Sequence, residues 1–335
     1  MTKDPISFSI YFAMERVLRL ISDELQRVEE EFKRRLNSHV PLINKIANYL
    51  VRSGGKRLRP ALLILSAKLC GYEGEAHIPL AGAVEFIHTA TLLHDDVIDN
   101  AEVRRGTASA NSIWGNEASV LVGDFLFSRS FSMMVEVGNL KILEAMAKAT
   151  TALAEGETLE LVKTADISIT EEENIDLIVR KTASLMSAAT RIGAILGGVS
   201  PEQEEALAEY GLQIGIAFQL VDDCLDYTGD AQNMGKEIGV DLREGKITLP
   251  LIHTLKHCSS SERKRIQDIV LAEVFPADGL KEILSLIEKY DGIQYTLQRA
   301  KERIEEGKRA LHPFPLSPER EALLELADYI VERSY

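Results

Sequence analysis

Residues 92–106 read "LLHDDVIDNAEVRRG", in which an apolar helical pattern runs into three aspartates and then two arginines. Each residue of an α-helix advances by about 100°, so Asp95 and Asp99 lie on one stripe with His88, and Asp96 lies at its edge. Carboxylates this close repel one another and are costly unless cations pair with them or a metal binds them. The stretch therefore predicts a helix that ends in a cation site.

A second stretch repeats this arrangement. Residues 218–230 read "FQLVDDCLDYTGD", so Gln219, Asp222 and Asp226 share a helix face with Asp223 at its edge. Oxygen ligands suit Mg²⁺, which takes one or two carboxylates plus substrate phosphates, whereas no Cys/His spacing indicates structural zinc. One D-D-x-x-D run is typical of a solvated helix end. Two runs, each continuing an apolar helix, favour a site that holds several Mg²⁺ ions around one diphosphate.

Helical periodicity extends over nearly the whole chain, and alternating β-type runs are missing. We expect helices over roughly 14–36, 40–52, 60–71, 77–100, 116–137, 139–163, 171–198, 202–227, 247–257, 261–273, 279–289, 293–311 and 317–334. No Ser/Pro-rich linker divides the chain, which predicts a single all-α domain over 1–335, although the length alone allows about two. The glycine-containing stretch 227–246 is expected to be a mobile loop that closes over a ligand, or else an ordinary surface connection.

Composition bounds the partners and the compartment. Acidic residues exceed basic ones by 52 − 38 = 14, which argues against a nucleic-acid surface, although a few local Lys and Arg residues can still bind small anions. The 3 cysteines have no metal-type spacing and indicate a reducing compartment. No signal peptide and no run near the ~18 apolar residues of a membrane span are evident. We therefore expect a cytoplasmic protein without a membrane span.

Basic residues accompany the acidic stretches. In the segment "GGKRLRP" at 54–60, two glycines expose the backbone, Lys56 and Arg59 supply positive charge, and a proline can open a helix. This combination predicts phosphate binding, or else a solvated basic loop. The candidate residues lie in this segment, interrupt apolar helices or lie near the acidic stretches. They are Lys56, Arg59, Arg104, Arg105, Lys181, Thr182, Lys236 and Lys246. His88 is either a core histidine or, given its place on the Asp95 stripe, a site residue.

Six motifs in this order resemble the trans-polyprenyl diphosphate synthases, the head-to-tail isoprenyl chain-elongation family. The motifs are "GGKRLRP", "LLHDDVIDNAEVRRG", "KTASL", "FQLVDDCLDYTGD", "GKEIGVD" and "EGKITLPL". The resemblance covers essentially the whole chain. It implies an all-α, single-domain helical bundle around a large central cavity, usually a homodimer, with about three Mg²⁺ ions per site. Its substrates would be isopentenyl diphosphate and an allylic diphosphate.

The resemblance also implies roles for individual residues. Asp95, Asp99 and Asp222 match direct Mg²⁺ ligands, and Asp96, Asp223 and Asp226 match residues that support or hydrate the metals. Lys56, Arg59, His88 and Arg105 match the isopentenyl diphosphate site. Arg104, Lys181, Thr182 and Gln219 match catalytic residues that grip the allylic diphosphate, together with Lys236 and Lys246.

The reaction needs no side-chain nucleophile, which agrees with the lack of a catalytic triad. The leaving diphosphate is stabilised by cations, the double bond of isopentenyl diphosphate attacks the allylic cation, and a proton is lost, for which the resemblance suggests pyrophosphate as base. Small residues at Ala90 and Thr91, where short-chain members tend to carry aromatic plugs, predict a product longer than C15. Met134 and Met146 are candidates for the floor of the product tunnel, or else ordinary core residues. A C40 octaprenyl chain for a quinone, handed on to membrane enzymes, is the expected product.

Other activities fit the sequence less well. Terpene cyclases usually combine one D-D-x-x-D with a different Asn/Ser/Glu motif, and head-to-head synthases use D-x-x-x-D pairs. A regulatory subunit of a heteromeric synthase would be expected to lose aspartates that this chain keeps. A catalytic subunit that needs a small partner to make long products stays open.

Overall fold

Helices account for almost all regular structure in the computed structural model, which describes residues 16–52, 57–104, 106–228, 238–272 and 274–332. The helices are α1 (Ser22–Leu36), α2 (Pro41–Arg52), α3 (Leu58–Leu69), α4 (His77–Ile98), α5 (Ala110–Trp114), α6 (Asn116–Val137), α7 (Leu140–Lys163), α8 (Glu171–Ile178), α9 (Ser184–Gly197), α10 (Pro201–Thr228), α11 (Val240–Arg243), α12 (Leu249–His257), α13 (Ser260–Val270), α14 (Gly279–Lys289), α15 (Gly292–Ala310) and α16 (Pro318–Glu332). The all-α prediction is confirmed.

Local sequence signals explain several helix ends. Thr170 begins α8 with a capping box, in which its hydroxyl accepts from the Glu173 N–H and the Glu173 carboxylate accepts from the Thr170 N–H. Pro201 opens α10, where its missing N–H has no cost. Gly138 ends α6 with φ +72°, a conformation that other residues rarely adopt. Gly156, in contrast, lies inside α7 rather than at a helix end.

Three local features differ from the periodicity-based expectation. The predicted helix 171–198 contains a π-helical turn, Val179–Ala183, between α8 and α9. A short antiparallel hairpin, β1 (Val103–Arg104) and β2 (Thr107–Ala108), follows α4. The predicted loop 227–246 contains α11, and its residues 229–237 lie outside the described part of the chain. Short strands and short helices escape a periodicity argument because they span too few residues to show a period.

The chain divides into two compact units, Met1–Thr150, Leu185–Gly211 and Ala310–Leu326 in one and Thr151–Ser184, Leu212–Arg309 and Ala327–Tyr335 in the other. In the first unit, α4 packs along α6 and against α1 and α3, and it buries Phe86, Ile87 and Leu93 completely. In the second unit, α12 packs against α14 and α8 and buries Leu249 and Leu251. A single domain over 1–335 stays a prediction.

Helix α6 bears on the expectation that no segment spans a membrane. Among the described residues it is the one helix that is long and apolar enough to cross a membrane by length and composition alone. Asp124 and Arg129 interrupt its apolar run. Within the chain, 44% of its most apolar window is buried. A core helix of a globular unit passes the same test, so this observation is weak evidence for a membrane span.

Candidate active site

The first acidic stretch lies at the C-terminal end of α4. Asp95 and Asp96 occupy its last turn, and Asp99 caps it with its N–H donated to the Asp95 carbonyl at 2.8 Å. Asp95 and Asp99 are partly exposed, whereas Asp96 is only 2% exposed. The stripe predicted from helix geometry is therefore present, with Asp96 turned toward the protein.

Arg104 holds the buried aspartate from the hairpin that follows α4. Its Nε donates to Asp96 Oδ1 at 2.5 Å. The hairpin pairs Arg104 with Thr107, and Gly106 turns the chain between them with φ +75°. Burial raises the pKa of Asp96, and Asp99 adds to this, although the charge of Arg104 opposes both. Arg104 was predicted to grip the allylic diphosphate, and the structure shows an additional use as the partner of Asp96.

The remaining predicted residues of α4 precede the aspartates by one to two turns. His88 and Thr91 are partly exposed, and the Thr91 hydroxyl donates to the His88 carbonyl at 2.8 Å. Ala90 is completely buried, as are Met134 on α6 and Met146 on α7 in the same unit. Complete burial is what ordinary core packing produces, and the chain-length roles stay predictions.

Arg57, the residue before α3, forms an ion pair with a carboxylate of α4. Arg57 has a left-handed backbone, with φ 49°, and its guanidinium donates to the Glu85 carboxylate on α4. The side chains of Arg57 and Glu85 are 20% and 9% exposed. Arg59 lies in the first turn of α3 and is partly exposed. The sequence signal for this pair was the charge of Glu85 inside the apolar run "AVEFI".

In the second unit, a hydrogen-bonded chain joins three predicted residues. The Thr182 hydroxyl donates to Gln219 Oε1 at 2.9 Å, and Gln219 Nε2 donates to Asp223 Oδ1 at 2.9 Å. Gln219 and Asp223 are four residues apart on α10 and therefore meet on one face. Asp223 is 3% exposed, so the residue placed at the edge of the stripe is the buried end of this chain.

A further carboxylate, Asp241, joins the second acidic stretch. Asp226 accepts from the N–H groups of Val240 at 3.2 Å and Asp241 at 3.3 Å, which caps the start of α11. Burial, with the nearby charge of Asp226 next, raises the pKa of Asp241 to about 7. Burial and then Asp241 raise the pKa of Asp223 well above its usual range, although the Gln219 hydrogen bond opposes this. Asp241 lies in the "GKEIGVD" motif, but it was not among the predicted site residues.

These carboxylates fit a divalent cation that also has other ligands. Their pKa values rise because burial and like charges are not fully balanced by the protein, and a bound cation would supply the balance. Within the described residues, no group of three or more His, Cys, Asp or Glu side chains is arranged to hold a metal by itself. Mg²⁺ usually takes only one or two carboxylates and completes its shell with water and phosphate oxygens.

Two glycines set the position of Lys181 on the π-helical turn Val179–Ala183. A Cβ on Gly156 of α7 would lie 2.9 Å from Lys181 Cγ, and a Cβ on Gly215 of α10 would lie 2.5 Å from Ala183 Cα. Neither contact is possible for a larger residue without movement of the turn. π-Helical turns occur frequently at functional sites, and here the turn carries two predicted site residues.

Two predicted lysines form ion pairs with carboxylates, Lys181 with those of α7 and Lys246 chiefly with Glu244. Lys181 Nζ donates to Glu160 and, at 2.9 Å, to Glu157. Lys246 Nζ lies 2.8 Å from Glu244 and 4.0 Å from the same oxygen of Glu160. Glu157 and Glu160 were not predicted, because nothing in "EGETLE" distinguishes them from a solvated helix face. Three other predicted site residues lie outside the described residues: Lys56, Arg105 and Lys236.

Comparisons with known proteins agree over almost the whole chain. The sequence matches the family described as Polyprenyl synthetase over residues 40–287. It is 44% identical to the octaprenyl diphosphate synthase of Escherichia coli (strain K12), covering 96% of this chain and 99% of that protein. A polyprenyl synthase from Caulobacter crescentus CB15, solved with calcium and isoprenyl diphosphate, shares 41% identity with a TM-score of 0.92, covering 96% and 98% of the two chains. A decaprenyl diphosphate synthase from Rhodobacter capsulatus shares 40% identity with a TM-score of 0.92, covering 96% and 99%. The all-α fold is thus of the isoprenoid synthase type.

Proposed function

This chain belongs to the polyprenyl synthetase family and is a trans-prenyltransferase that makes chains longer than C15, and we propose that its product is octaprenyl (C40) diphosphate for a quinone side chain. The likeness to an octaprenyl diphosphate synthase supports this length. Small side chains at Ala90 and Thr91 support it as well. We further propose that the chain works as one polyprenyl synthase domain over 1–335.

We propose that both acidic stretches bind Mg²⁺, about three ions in all, together with substrate diphosphate. When bound, Mg²⁺ would neutralise the negative charge that develops on the leaving diphosphate. The raised pKa values of Asp96, Asp223 and Asp241 support the need for a cation. The calcium and isoprenyl diphosphate in the structure of the Caulobacter crescentus relative support a divalent metal beside a prenyl diphosphate.

The hydrogen-bonded chain of Thr182, Gln219 and Asp223 is the observation that best supports the proposed allylic diphosphate site. It joins three predicted residues next to Lys181, within one unit. We propose that Lys181 and Lys246, with Arg104 and Lys236, bind the allylic diphosphate. Lys56, Arg59, His88 and Arg105 bind isopentenyl diphosphate in this proposal. Cations at these positions would stabilise the negative charge that develops on the leaving diphosphate.

The purified chain alone, supplied with isopentenyl and farnesyl diphosphates and Mg²⁺, is expected to elongate the primer to C40. One diphosphate should be released for each C5 unit added, because each addition breaks one allylic C–O bond. Chromatography of the dephosphorylated products measures the chain length. No elongation by the chain alone would contradict a self-sufficient enzyme, and elongation that begins only with added small subunit would establish a partner requirement.

Replacement of Met134 or Met146 by alanine is expected to lengthen the products if these residues form the tunnel floor. Each truncation removes a completely buried side chain and should lower the free energy of unfolding by about 2–5 kcal/mol. The chain-length distribution of each variant, compared at equal turnover, tests the role. Unchanged distributions in both variants, with the loss of stability still measured, would show that both residues are ordinary core.

We propose that the protein is a homodimer in the cytoplasm. Exposed apolar residues on α6 support a partner surface, because Val120, Leu121 and Val135 are 38%, 66% and 61% exposed. The cysteines at 70, 224 and 258 are all free thiols, which supports a reducing compartment. The proposal includes no nucleic-acid partner, in keeping with the acidic net charge.

A further inference from the structure

Glu160 lies between two lysines that come from distant parts of the chain. Its Oε2 accepts from Lys181 Nζ of the π-helical turn and lies 4.0 Å from Lys246 Nζ, three residues after α11. The side chains of Glu160, Lys181 and Lys246 are 18%, 21% and 19% exposed. Glu160 thus pairs with Lys181 and also lies at ion-pair distance from Lys246, although Lys246 has a nearer partner in Glu244 at 2.8 Å and Lys181 has a second partner in Glu157 at 2.9 Å.

In this cluster two lysines face a carboxylate, as two lysines of a phosphate site would face a bound phosphate. Burial lowers the pKa of Lys181, but the charges of Glu160 and Glu157 outweigh it, so the pKa is raised and the ammonium stays charged. An anionic oxygen between two ammonium groups is also what a bound diphosphate would present. The lysines therefore have the charge that a phosphate needs, but a protein carboxylate already uses it.

We propose that Glu160 is an internal anion that occupies the position of a diphosphate oxygen between Lys181 and Lys246, and that the substrate diphosphate displaces it on binding. This inference rests on the proposed function, in which both lysines bind the allylic diphosphate. Glu160 then acts as a positioning residue. It keeps two like charges together before a diphosphate binds and lowers the affinity for every diphosphate that enters, including released pyrophosphate.

Removal of the Glu160 charge should change diphosphate affinity in opposite directions for this role and for a purely structural one. A structural Glu160 would only orient the lysines, so removal of its charge would weaken diphosphate binding. A competing Glu160 predicts the opposite, because the substrate no longer has to break an ion pair. A partly exposed ion pair contributes up to about 1 kcal/mol, which corresponds to roughly fivefold in affinity.

The test compares full-length wild type with Glu160→Gln, using inorganic diphosphate and Mg²⁺ in titration calorimetry. Glu160→Gln is expected to bind inorganic diphosphate roughly fivefold more tightly and to show a lower KM for farnesyl diphosphate. Glu155→Gln is the matched control, because Glu155 lies on the same helix, carries the same charge and pairs with Arg180 rather than with either lysine. Equal or weaker binding by Glu160→Gln, or an equal gain in Glu155→Gln, would overturn the proposal.

Lys181→Ala separates a failure of this inference from a failure of the proposed function. It is expected to weaken binding of inorganic diphosphate at least tenfold, as loss of a charged hydrogen bond requires. If Lys181→Ala binds as wild type does, the assigned role of Lys181 fails and the inference fails with it. If Lys181→Ala binds weakly and Glu160→Gln binds no more tightly than wild type, the proposed function stands and only the inference fails.

Discussion

Replacement of Asp95 by asparagine is expected to lower kcat for chain elongation about 10³-fold with little change in stability. Asparagine keeps the size of the side chain on the last turn of α4, but it removes the negative charge that the proposed metal site requires. Asp95 is partly exposed at the end of the helix, so the substitution should disturb the packing little. Single-turnover elongation of farnesyl diphosphate at saturating Mg²⁺ measures the loss, and a Mg²⁺ titration should show a raised requirement for the ion.

The matched control is Asp124→Asn on α6. The Asp124 side chain is 62% exposed, its contact with His94 is 3.4 Å long, and the substitution removes the same charge. We expect its kcat to stay within about twofold of wild type. If Asp95→Asn retains more than a tenth of the wild-type kcat, or Asp124→Asn loses as much, the proposed metal role of Asp95 is wrong.

A double-mutant cycle tests whether the two acidic stretches serve one reaction. Residues that act as a unit in catalysis show strongly non-additive losses, because removal of the first already disables the unit. Asp95→Asn combined with Asp222→Asn should therefore be little slower than the slower single variant. A product of two independent losses would indicate that the stretches act in separate steps.

The parts of the site that the sequence predicted correctly depend on helix periodicity. Residues four apart on one helix have a fixed geometry, which placed Asp95 and Asp99 on one stripe. Gln219 was expected to share a face with Asp222 and Asp226, but its hydrogen bond is to Asp223, which was expected at the edge of that face. Periodicity alone does not say which member of a stripe turns inward. The buried Asp96 accepts a hydrogen bond from Arg104, which lies on the hairpin and not on the helix.

The parts that the sequence did not predict depend on contacts between distant residues. Lys181 and Glu160 are 21 positions apart, and their contact exists because two glycines let the π-helical turn approach its neighbours. The residues "VRKTA" have ordinary helix propensity, so the extra residue in this turn comes from packing rather than from local preference. Tertiary contacts of this kind leave no periodic signal in a single sequence.

Replacement of Arg57 by leucine is expected to lower the free energy of unfolding by about 3 kcal/mol. The change leaves the Glu85 carboxylate on α4, whose side chain is only 9% exposed, without the guanidinium that balances it. Breaking one side of a buried ion pair is costly because the remaining charge is desolvated and unpaired. Urea denaturation, followed by circular dichroism, measures the loss.

A more exposed pair in the same unit provides the matched control. Arg27 pairs with Glu75, and their side chains are 48% and 71% exposed. Arg27→Leu should therefore cost less than about 1 kcal/mol. Equal losses in Arg27→Leu and Arg57→Leu would show that burial of the Arg57–Glu85 pair is not the cause.

The double variant Arg57→Leu, Glu85→Leu separates stability from substrate binding. Removal of both partners leaves no unpaired charge, so most of the lost stability should return. The KM for isopentenyl diphosphate should nevertheless stay above the wild-type value, because Arg57 ties the start of α3, which carries Arg59, to α4. A double variant with wild-type KM would show that the pair supports the fold alone. A double variant as unstable as Arg57→Leu would show that the guanidinium contributes by packing rather than by balancing the charge of Glu85.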